Sequence, residues 1–224
     1  MIAEEIHRIT SALPKGVRLV AVSKYHPAEA IREAYAAGQR VFGESHAQEL
    51  QAKHAELAGL PELEWHFIGH LQTNKVKYIA PYVHLIHAVD SPRLLAEIDK
   101  QAQKVGRVIP CLLQLHVAEE ETKFGFTPEE ARAYLETESW KQLAGIQLAG
   151  VMAMATNTDD TTRIRADFHR ARTFFEEARR DFFATQPETF RELSMGMTDD
   201  WHIAVDEGST LIRIGTQIFG ARQY

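Results

Sequence analysis

The chain has 224 residues, of which 45% are hydrophobic and 25% are charged, and its formal net charge at pH 7 is -6. This composition is typical of a globular protein and fits one large α/β domain or two small ones. No cluster of lysines and arginines forms a basic face, which argues against a nucleic-acid partner. No segment has the apolar length that a transmembrane helix needs, so we expect no membrane partner either.

The cysteine content and the N-terminal segment indicate the compartment. Cys111 is the single cysteine, which excludes a disulfide within the chain and fits a reducing environment. It lies in the apolar run VIPCLLQLHV, so we expect a buried thiol and not a nucleophile. The N-terminal sequence MIAEEIHRIT is acidic and amphipathic, unlike a signal peptide. We therefore expect a cytoplasmic protein.

Eight short apolar runs alternate with helical patterns along the chain. In order, the runs are RLVAVS, RVFGE, EWHFIG, HLIHAV, VIPCLLQLHV, IQLAGVMAMA, RELSMGM and LIRIGTQIF. After the fourth run, Ser91, Pro92 and Gly106 are typical of the N-cap, the first position and the C-terminal stop of a helix. After the fifth run, Thr127 and Glu130 have the spacing of a capping box.

The pattern predicts a barrel of parallel strands. The apolar runs do not alternate strictly, which favours strands that are buried on both faces. Eight strand–helix repeats are the arrangement of a (β/α)₈ TIM barrel, a fold of usually about 250 residues. An open doubly wound sheet is the alternative, but the first strand–helix turn, SKYHPAEA, lacks the glycines of a dinucleotide-binding fingerprint. No linker interrupts the pattern, so residues 1–224 are predicted to form a single α/β barrel domain.

Two cationic residues are predicted to face one cavity. Lys24 follows the first strand, at the end of the barrel where active sites lie. Alternation along the last strand places Arg213 on the inward face, while Ile212 and Ile214 face the outer helices. Closure of the barrel makes the last strand a neighbour of the first. Lys24 and Arg213 together therefore indicate an anionic or electron-rich ligand.

The motifs SMGM and RIGT predict a phosphate site beside these cations. They follow strands 7 and 8, where many such barrels bind phosphate. Ser194 and Thr216 offer hydroxyl groups, and Gly215 lets the backbone come close, although glycine also suits tight packing at a barrel corner. With Lys24 and Arg213 nearby, this arrangement suggests pyridoxal 5'-phosphate held as a Schiff base. A class I aldolase lysine that acts on a sugar phosphate remains an alternative.

Seven stretches carry a resemblance to a known family over nearly the whole chain: AVSKYHP, FGESHAQE, WHFIGHLQTNK, KFGF, GVMAMA, SMGMTDD and GSTLIRIGTQIFG. The chain resembles the pyridoxal phosphate homeostasis proteins (the YggS/PROSC type), which are single-domain relatives of the alanine racemase N-terminal barrel. The resemblance implies that pyridoxal 5'-phosphate is bound on Lys24, with Arg213 near the pyridine nitrogen. It also implies that Ser194, Gly215 and Thr216 are phosphate ligands.

The resemblance further implies a role in the intracellular supply of this cofactor and in amino and keto acid balance, without efficient catalysis. We expect a monomer that makes transient contacts with pyridoxal-phosphate-dependent apo-enzymes. The alternative is an amino-acid racemase, which needs a base on each face of the substrate carbon. Lys24 supplies one base, but in alanine racemases the other comes from an added domain of a partner subunit, and this chain ends at Tyr224. The positive charge of Arg213 also disfavours a protonated ring nitrogen, which the cofactor needs to act as an electron sink.

Several positions depart from the family's usual residues or suggest other chemistry. Ser45 and His116 stand where the family usually has asparagine, and we interpret both as changes around the ring edge of the ligand. Thr198 replaces the serine that usually ends the SMGMS motif. His66 and His70 have the spacing of a helical metal pair, but on a strand they would be about 13 Å apart. We therefore predict no metal site.

Overall fold

Eight parallel strands form a closed barrel in the computed structural model, which describes residues 1–119 and 124–221. The strands are β1 (Arg18–Val22), β2 (Val41–Glu44), β3 (Glu64–Phe67), β4 (Leu85–Val89), β5 (Ile109–Leu115), β6 (Ile146–Ala153), β7 (Glu192–Ser194) and β8 (Leu211–Ile214). Each strand pairs with the next one along the chain, and β8 pairs with β1. Each predicted apolar run contains one strand, so the predicted (β/α)₈ barrel is confirmed.

Helices connect the strands and surround the barrel. They are α1 (Ile2–Ala12), α2 (Ala28–Ala36), α3 (Ala47–Glu56), α4 (Val76–Ile79), α5 (Pro92–Lys104), α6 (Pro128–Glu136), α7 (Thr161–Phe182), α8 (Trp201–Asp206) and α9 (Thr216–Phe219). The predicted caps are confirmed, since the Ser91 side chain accepts from the Leu94 N–H and Thr127 with Glu130 forms a capping box. Within the described segments, no helix combines the length and the apolar character that crossing a membrane requires.

Side-chain alternation along the strands separates two apolar layers. The larger layer lies between strands and helices, and it includes Ile212 and Ile214. The smaller layer fills the barrel interior and consists of Val20, Val41, Leu85, Ala88, Leu112, Ala149, Met152 and Leu211. Arg213 is 4% exposed and pairs in register with Val20, so it points into the barrel as predicted.

The single cysteine belongs to the outer layer. Cys111 is fully buried on β5, and burial raises the pKa of its thiol. Because the thiolate is the reactive form of cysteine, this residue has the environment of an inert structural thiol. The prediction of a buried thiol is confirmed.

Candidate functional site

A cavity of about 160 Å³ lies at the carboxyl-terminal end of the strands, beside β1 and β8. Its lining residues are Val22, Lys24, His26, Ile68, Met154, Met197, Thr198, Arg213, Gly215 and Thr216. Four of the five residues predicted to bind the cofactor therefore line one cavity, and the fifth, Ser194, is not among the lining residues. Closure of the barrel explains why residues from both ends of the chain meet here, because β8 returns to β1.

The loop that carries Lys24 is anchored on both sides of this residue. The Nζ of Lys53, on α3, donates to the carbonyl oxygen of Ser23 at 2.8 Å. The Oε1 of Glu49, also on α3, accepts from the N–H of Tyr25 at 2.6 Å. Tyr25 itself has a φ of 65°, a left-handed conformation that is uncommon for residues other than glycine. Side chains from one helix thus hold the peptide groups before and after Lys24.

These anchors belong to a buried charged cluster, which we call the Glu44–Lys53–Glu49 triad. Lys53 Nζ lies 2.8 Å from Glu44 Oε1 and 2.7 Å from Glu49 Oε1. Glu44 Oε1 also accepts from the Ser23 hydroxyl at 2.7 Å, while its Oε2 is buried without a hydrogen-bond partner among the described residues. Burial raises the pKa of Glu44 to about 7, although Lys53 and Ser23 both act in the opposite direction. The loop of Lys24 is therefore coupled to a carboxyl group that titrates near neutral pH.

Arg213 brings a fixed cation to the cavity from β8, the neighbour of β1. Its Nη1 donates to Ser194 Oγ at 2.5 Å and its Nη2 donates to the carbonyl oxygen of Ala153 at 3.1 Å. Burial lowers the pKa of Arg213 to about 10, and the nearby Asp200 carboxylate opposes this shift. The guanidinium group therefore remains charged at neutral pH.

Ser194 lies on β7, beneath the wall of the cavity. It is fully buried, and its hydroxyl contacts Arg213 Nη1 and the Nδ1 of His87, at 2.9 Å. Thr198, at the end of the same SMGMT motif, lines the cavity and offers a hydroxyl group on that loop. The role of phosphate ligand for Ser194 stays a prediction, and its contacts suggest that it acts on Arg213.

Two glycines permit close packing after β7 and β8. Gly196 has a φ of 91°, and a Cβ there would lie 2.7 Å from the Cβ of Ala204. A Cβ on Gly215 would lie 3.1 Å from the carbonyl oxygen of Val22, which is closer than most real Cβ contacts. Both positions thus need a small residue for packing, and Gly215 also forms part of the cavity wall.

Six of the ten lining residues were not among those predicted to bind the cofactor: Val22, His26, Ile68, Met154, Met197 and Thr198. Ile68 and Met154 lie two residues after His66 on β3 and Met152 on β6, so they continue the inward-facing positions of these strands. The alternation argument that we applied to the last strand would have identified both, had it been extended to every strand. His26 is 8% exposed, and its ring lies 5.3 Å from that of Phe219. No sequence pattern pointed to it.

The two positions that depart from the family's asparagines lie elsewhere. Ser45 lines a neighbouring cavity of about 410 Å³, together with His70 and Lys75. His116 follows β5, and its N–H donates to the carbonyl oxygen of Phe126 at 2.7 Å. Neither residue is among those lining the Lys24 cavity, so the interpretation that they modify the ring edge gains no support from their positions.

The two histidines of HFIGH are separated by the structure. His66 is buried in the barrel, whereas His70 is exposed at the rim, with its Nδ1 2.9 Å from Asp90 Oδ2. Among residues 1–119 and 124–221, no three histidine, cysteine, aspartate or glutamate side chains are grouped so that they could hold a metal ion.

Two buried histidines extend the contacts of Ser194 through the barrel interior. His87 Nε2 lies 2.9 Å from His66 Nδ1, and His66 Nε2 lies 3.8 Å from Glu64 Oε2 at the other end of the barrel. Burial lowers the pKa of both histidines, and that of His87 well below its usual value. Both rings are therefore neutral at pH 7. We call the series Arg213, Ser194, His87 and His66 the interior column.

The chemistry of the lining residues fits pyridoxal phosphate. Lys24 offers an amine for an aldehyde, and Arg213 offers a positive charge. Thr198 and Thr216 offer hydroxyl groups to a phosphate, and apolar side chains line the space between these polar groups. Such a mixture of apolar walls and a few polar groups is typical of cofactor sites.

Comparison with known proteins gives consistent matches over the whole chain. Residues 1–223 match the family model of the alanine racemase N-terminal domain. The pyridoxal phosphate homeostasis protein of Pseudomonas aeruginosa is 41% identical over 211 residues, which cover 94% of this chain and 87% of that protein. PipY of Synechococcus elongatus is 44% identical, and the match covers 98% of this chain and 100% of PipY. The TM-score is 0.92 to its structure without pyridoxal phosphate and 0.89 to its structure with pyridoxal phosphate bound.

Proposed function

Because this chain belongs to the family of pyridoxal phosphate homeostasis proteins, which have the alanine racemase N-terminal fold, we propose that it binds pyridoxal 5'-phosphate in the Lys24 cavity. The observation that carries the proposal is that Lys24, Arg213, Gly215 and Thr216 line one cavity. PipY, which is 44% identical, has been solved with pyridoxal phosphate bound, and this supports the same ligand here.

Five of the lining residues have a proposed role in binding. The amine of Lys24 forms a Schiff base with the aldehyde of the cofactor, and one water molecule leaves. Arg213 faces the pyridine nitrogen, while Thr198, Gly215 and Thr216 contact the phosphate. Charge-assisted and backbone hydrogen bonds to a phosphate are strong, so the phosphate should contribute much of the affinity.

We further propose that the protein manages the supply of the cofactor and the balance of amino and keto acids, without efficient turnover. When bound, pyridoxal phosphate supplies an electron sink that depends on a protonated ring nitrogen. Arg213 retains its charge, and a neighbouring cation disfavours that protonation. Transient delivery of the cofactor to apo-enzymes by a monomer is part of this proposal, on the basis of the family resemblance.

Borohydride reduction of the loaded protein, followed by peptide mapping, tests the Schiff base. We expect an absorption band of the bound cofactor that reduction removes, and a covalent label on Lys24. The Lys24→Ala variant should lose the label, while Lys75→Ala, which changes a lysine of the neighbouring cavity, should keep it. A label on Lys75 with Lys24 unmodified would show that the assignment is wrong.

Steady-state assays across the common L- and D-amino acids test the absence of efficient turnover. We expect rates well below the usual enzymatic range of about 1 per second or more. A kcat within that range, abolished in Lys24→Ala, would identify the protein as a racemase or a related enzyme instead.

A further inference from the structure

The interior column has a hydrogen-bond direction that Arg213 imposes. A guanidinium group can donate but cannot accept, so Arg213 Nη1 donates to Ser194 Oγ. The hydroxyl of Ser194 has one hydrogen, and the remaining contact of its oxygen is His87 Nδ1 at 2.9 Å. If His87 donated here, the hydroxyl hydrogen would be buried with no acceptor among the described contacts. Ser194 therefore donates, and His87 Nδ1 accepts.

The same reasoning determines the tautomers of both histidines. A neutral imidazole has one donor and one acceptor nitrogen. Since His87 Nδ1 accepts, its hydrogen lies on Nε2 and is donated to His66 Nδ1 at 2.9 Å. The hydrogen of His66 then lies on Nε2, which faces Glu64 Oε2 at 3.8 Å. Every hydrogen bond in the column thus runs from Arg213 towards Glu64.

Much of the barrel interior around the column is apolar. The apolar side chains there come from Val20, Val41, Leu85, Ala88, Leu112, Ala149, Met152 and Leu211. Ser194 and His87 are fully buried. Breaking one hydrogen bond of the column would leave the groups on both sides of it without a partner. A buried polar group without a hydrogen-bond partner costs more free energy than the same group in water. The arrangement of the column is therefore maintained as a unit.

The far end of the column opens towards charged residues. A cavity of about 460 Å³ at the amino-terminal end of the barrel is lined by His66, Arg18, Glu64 and His84 among others. Burial is the largest influence on the pKa of His66 and lowers it. Arg18 and His84 lower this pKa further and Glu64 raises it, so the net shift is downward. His66 therefore remains neutral although it borders this cavity.

We propose that His87 and His66 are positioning residues for the cofactor site, which orient the Arg213 guanidinium through Ser194. They reach no ligand themselves, because both lie inside the barrel below the cavity wall. Their consequence for cofactor binding rests on the proposed function, but the direction of the hydrogen bonds is a property of the free protein. Ser194 then serves the orientation of Arg213 and not the phosphate.

Long-range ¹H–¹⁵N spectra of the unliganded, ¹⁵N-labelled protein test the direction of the column. The chain has 11 histidines, and signals that disappear in His87→Gln and His66→Gln identify the two rings. We expect both to be neutral Nε2–H tautomers at pH 7.5, and His87 to remain so down to pH 6. An Nδ1–H tautomer of His87, or a charged His87 in this range, would overturn the proposal whether or not the protein binds the cofactor.

Binding of pyridoxal phosphate tests the consequence. We expect the Kd to rise about tenfold in His87→Leu, which breaks two hydrogen bonds at similar volume. His87→Gln, whose amide can both accept and donate, should lose less. His54→Gln is the matched control, since His54 is a half-buried histidine of α3 that stacks on Tyr82 outside the column. An unchanged Kd in His87→Leu would overturn the positioning role.

The Ser194→Ala variant distinguishes a positioning role from a phosphate contact. If Ser194 orients Arg213, the affinities for pyridoxal phosphate and for free pyridoxal should fall by the same factor. If Ser194 binds the phosphate, only the affinity for pyridoxal phosphate should fall, and the proposal would be wrong. A wild-type protein that binds neither ligand would instead contradict the proposed function, while the tautomer measurement would still test the column.

Discussion

The two walls of the Lys24 cavity are supported by polar groups of opposite character. The loop of Lys24 is held by the Glu44–Lys53–Glu49 triad, which is charged, lies between β2 and α3, and reaches solvent through Glu49, whose side chain is 23% exposed. Arg213 is held by the interior column, in which Ser194, His87 and His66 are neutral and buried inside the barrel. Buried charges need partners and residual solvation, whereas neutral groups need only complete hydrogen bonding. The triad can therefore consist of charged residues because it reaches solvent, whereas Ser194, His87 and His66, inside the barrel, are neutral.

The triad and the interior column should change the free energy of unfolding in opposite directions as the pH changes. Burial raises the pKa of Glu44 to about 7, so the folded protein holds a proton that the unfolded chain releases above its usual pKa near 4.5. The contribution of Glu44 to the free energy of unfolding therefore falls as pH rises from about 4.5 to about 7. Burial lowers the pKa values of His66 and His87, so their contribution falls as pH drops below about 6.5.

The largest expected effect is that of removing the cation of the triad. Lys53→Met leaves two carboxylates together, one of them buried, and we expect the free energy of unfolding to fall by about 3 to 5 kcal/mol at pH 7.5. Urea denaturation measures this loss. The control is Lys100→Met, which removes an exposed lysine 3.8 Å from Glu97 and should cost under about 1 kcal/mol. A similar, small loss in both variants would show that the triad does not stabilise the loop.

The next effect separates the pH responses of the two supports. In Glu44→Gln, the decrease in the free energy of unfolding between pH 4.5 and 7 should disappear. A shift of the pKa from 4.5 to about 7 corresponds to roughly 3 kcal/mol over this range. Denaturation curves at several pH values measure it, with Glu56→Gln, an exposed residue of α3, as the control. An unchanged pH dependence in Glu44→Gln would mean that Glu44 is ionised throughout this range.

A smaller effect is expected from breaking the interior column. His87→Leu should lower the free energy of unfolding by about 1 to 3 kcal/mol at pH 7.5, because Ser194 and His66 each lose a partner. The loss relative to wild type should shrink below pH 6.5, since the unfolded wild-type chain then gains a proton at residue 87 that the variant cannot bind. Thermal unfolding across pH 5.5 to 7.5 measures both effects. A loss that grows at low pH would contradict a neutral His87.

The smallest effect concerns a hydrogen bond that the triad can spare. Ser23→Ala removes the hydroxyl that donates to Glu44 Oε1 but keeps the Ser23 carbonyl bond to Lys53. We expect a loss of about 1 kcal/mol in the free energy of unfolding and an unchanged Kd for pyridoxal phosphate. Denaturation and a binding titration measure the two quantities. A large rise in the Kd would show that the hydroxyl, and not the peptide anchors, positions Lys24.

The sequence by itself determined the barrel and much of the cavity. Eight apolar runs separated by helical patterns predicted the strands, and alternation together with closure predicted that Lys24 and Arg213 face the same cavity beside β1 and β8. These inferences succeeded because they depend on periodicities within single strands and on one topological rule. The motif RIGT likewise pointed to Gly215 and Thr216, which line the cavity, whereas SMGM pointed to Ser194, which is not among the lining residues.

Only the tertiary structure decided which polar residues support the cavity. Ser194 and His87 are 107 positions apart in the sequence, and His66 and His87 are 21 apart, so no local pattern indicates that they touch. Lys53 has the sequence context of a solvated helical lysine, yet it is buried against Glu44. Partners of this kind are selected by packing between strands and helices that are distant along the chain. Their roles depend on the closed barrel, which removes these side chains from water and leaves each of them only a few possible hydrogen-bond partners.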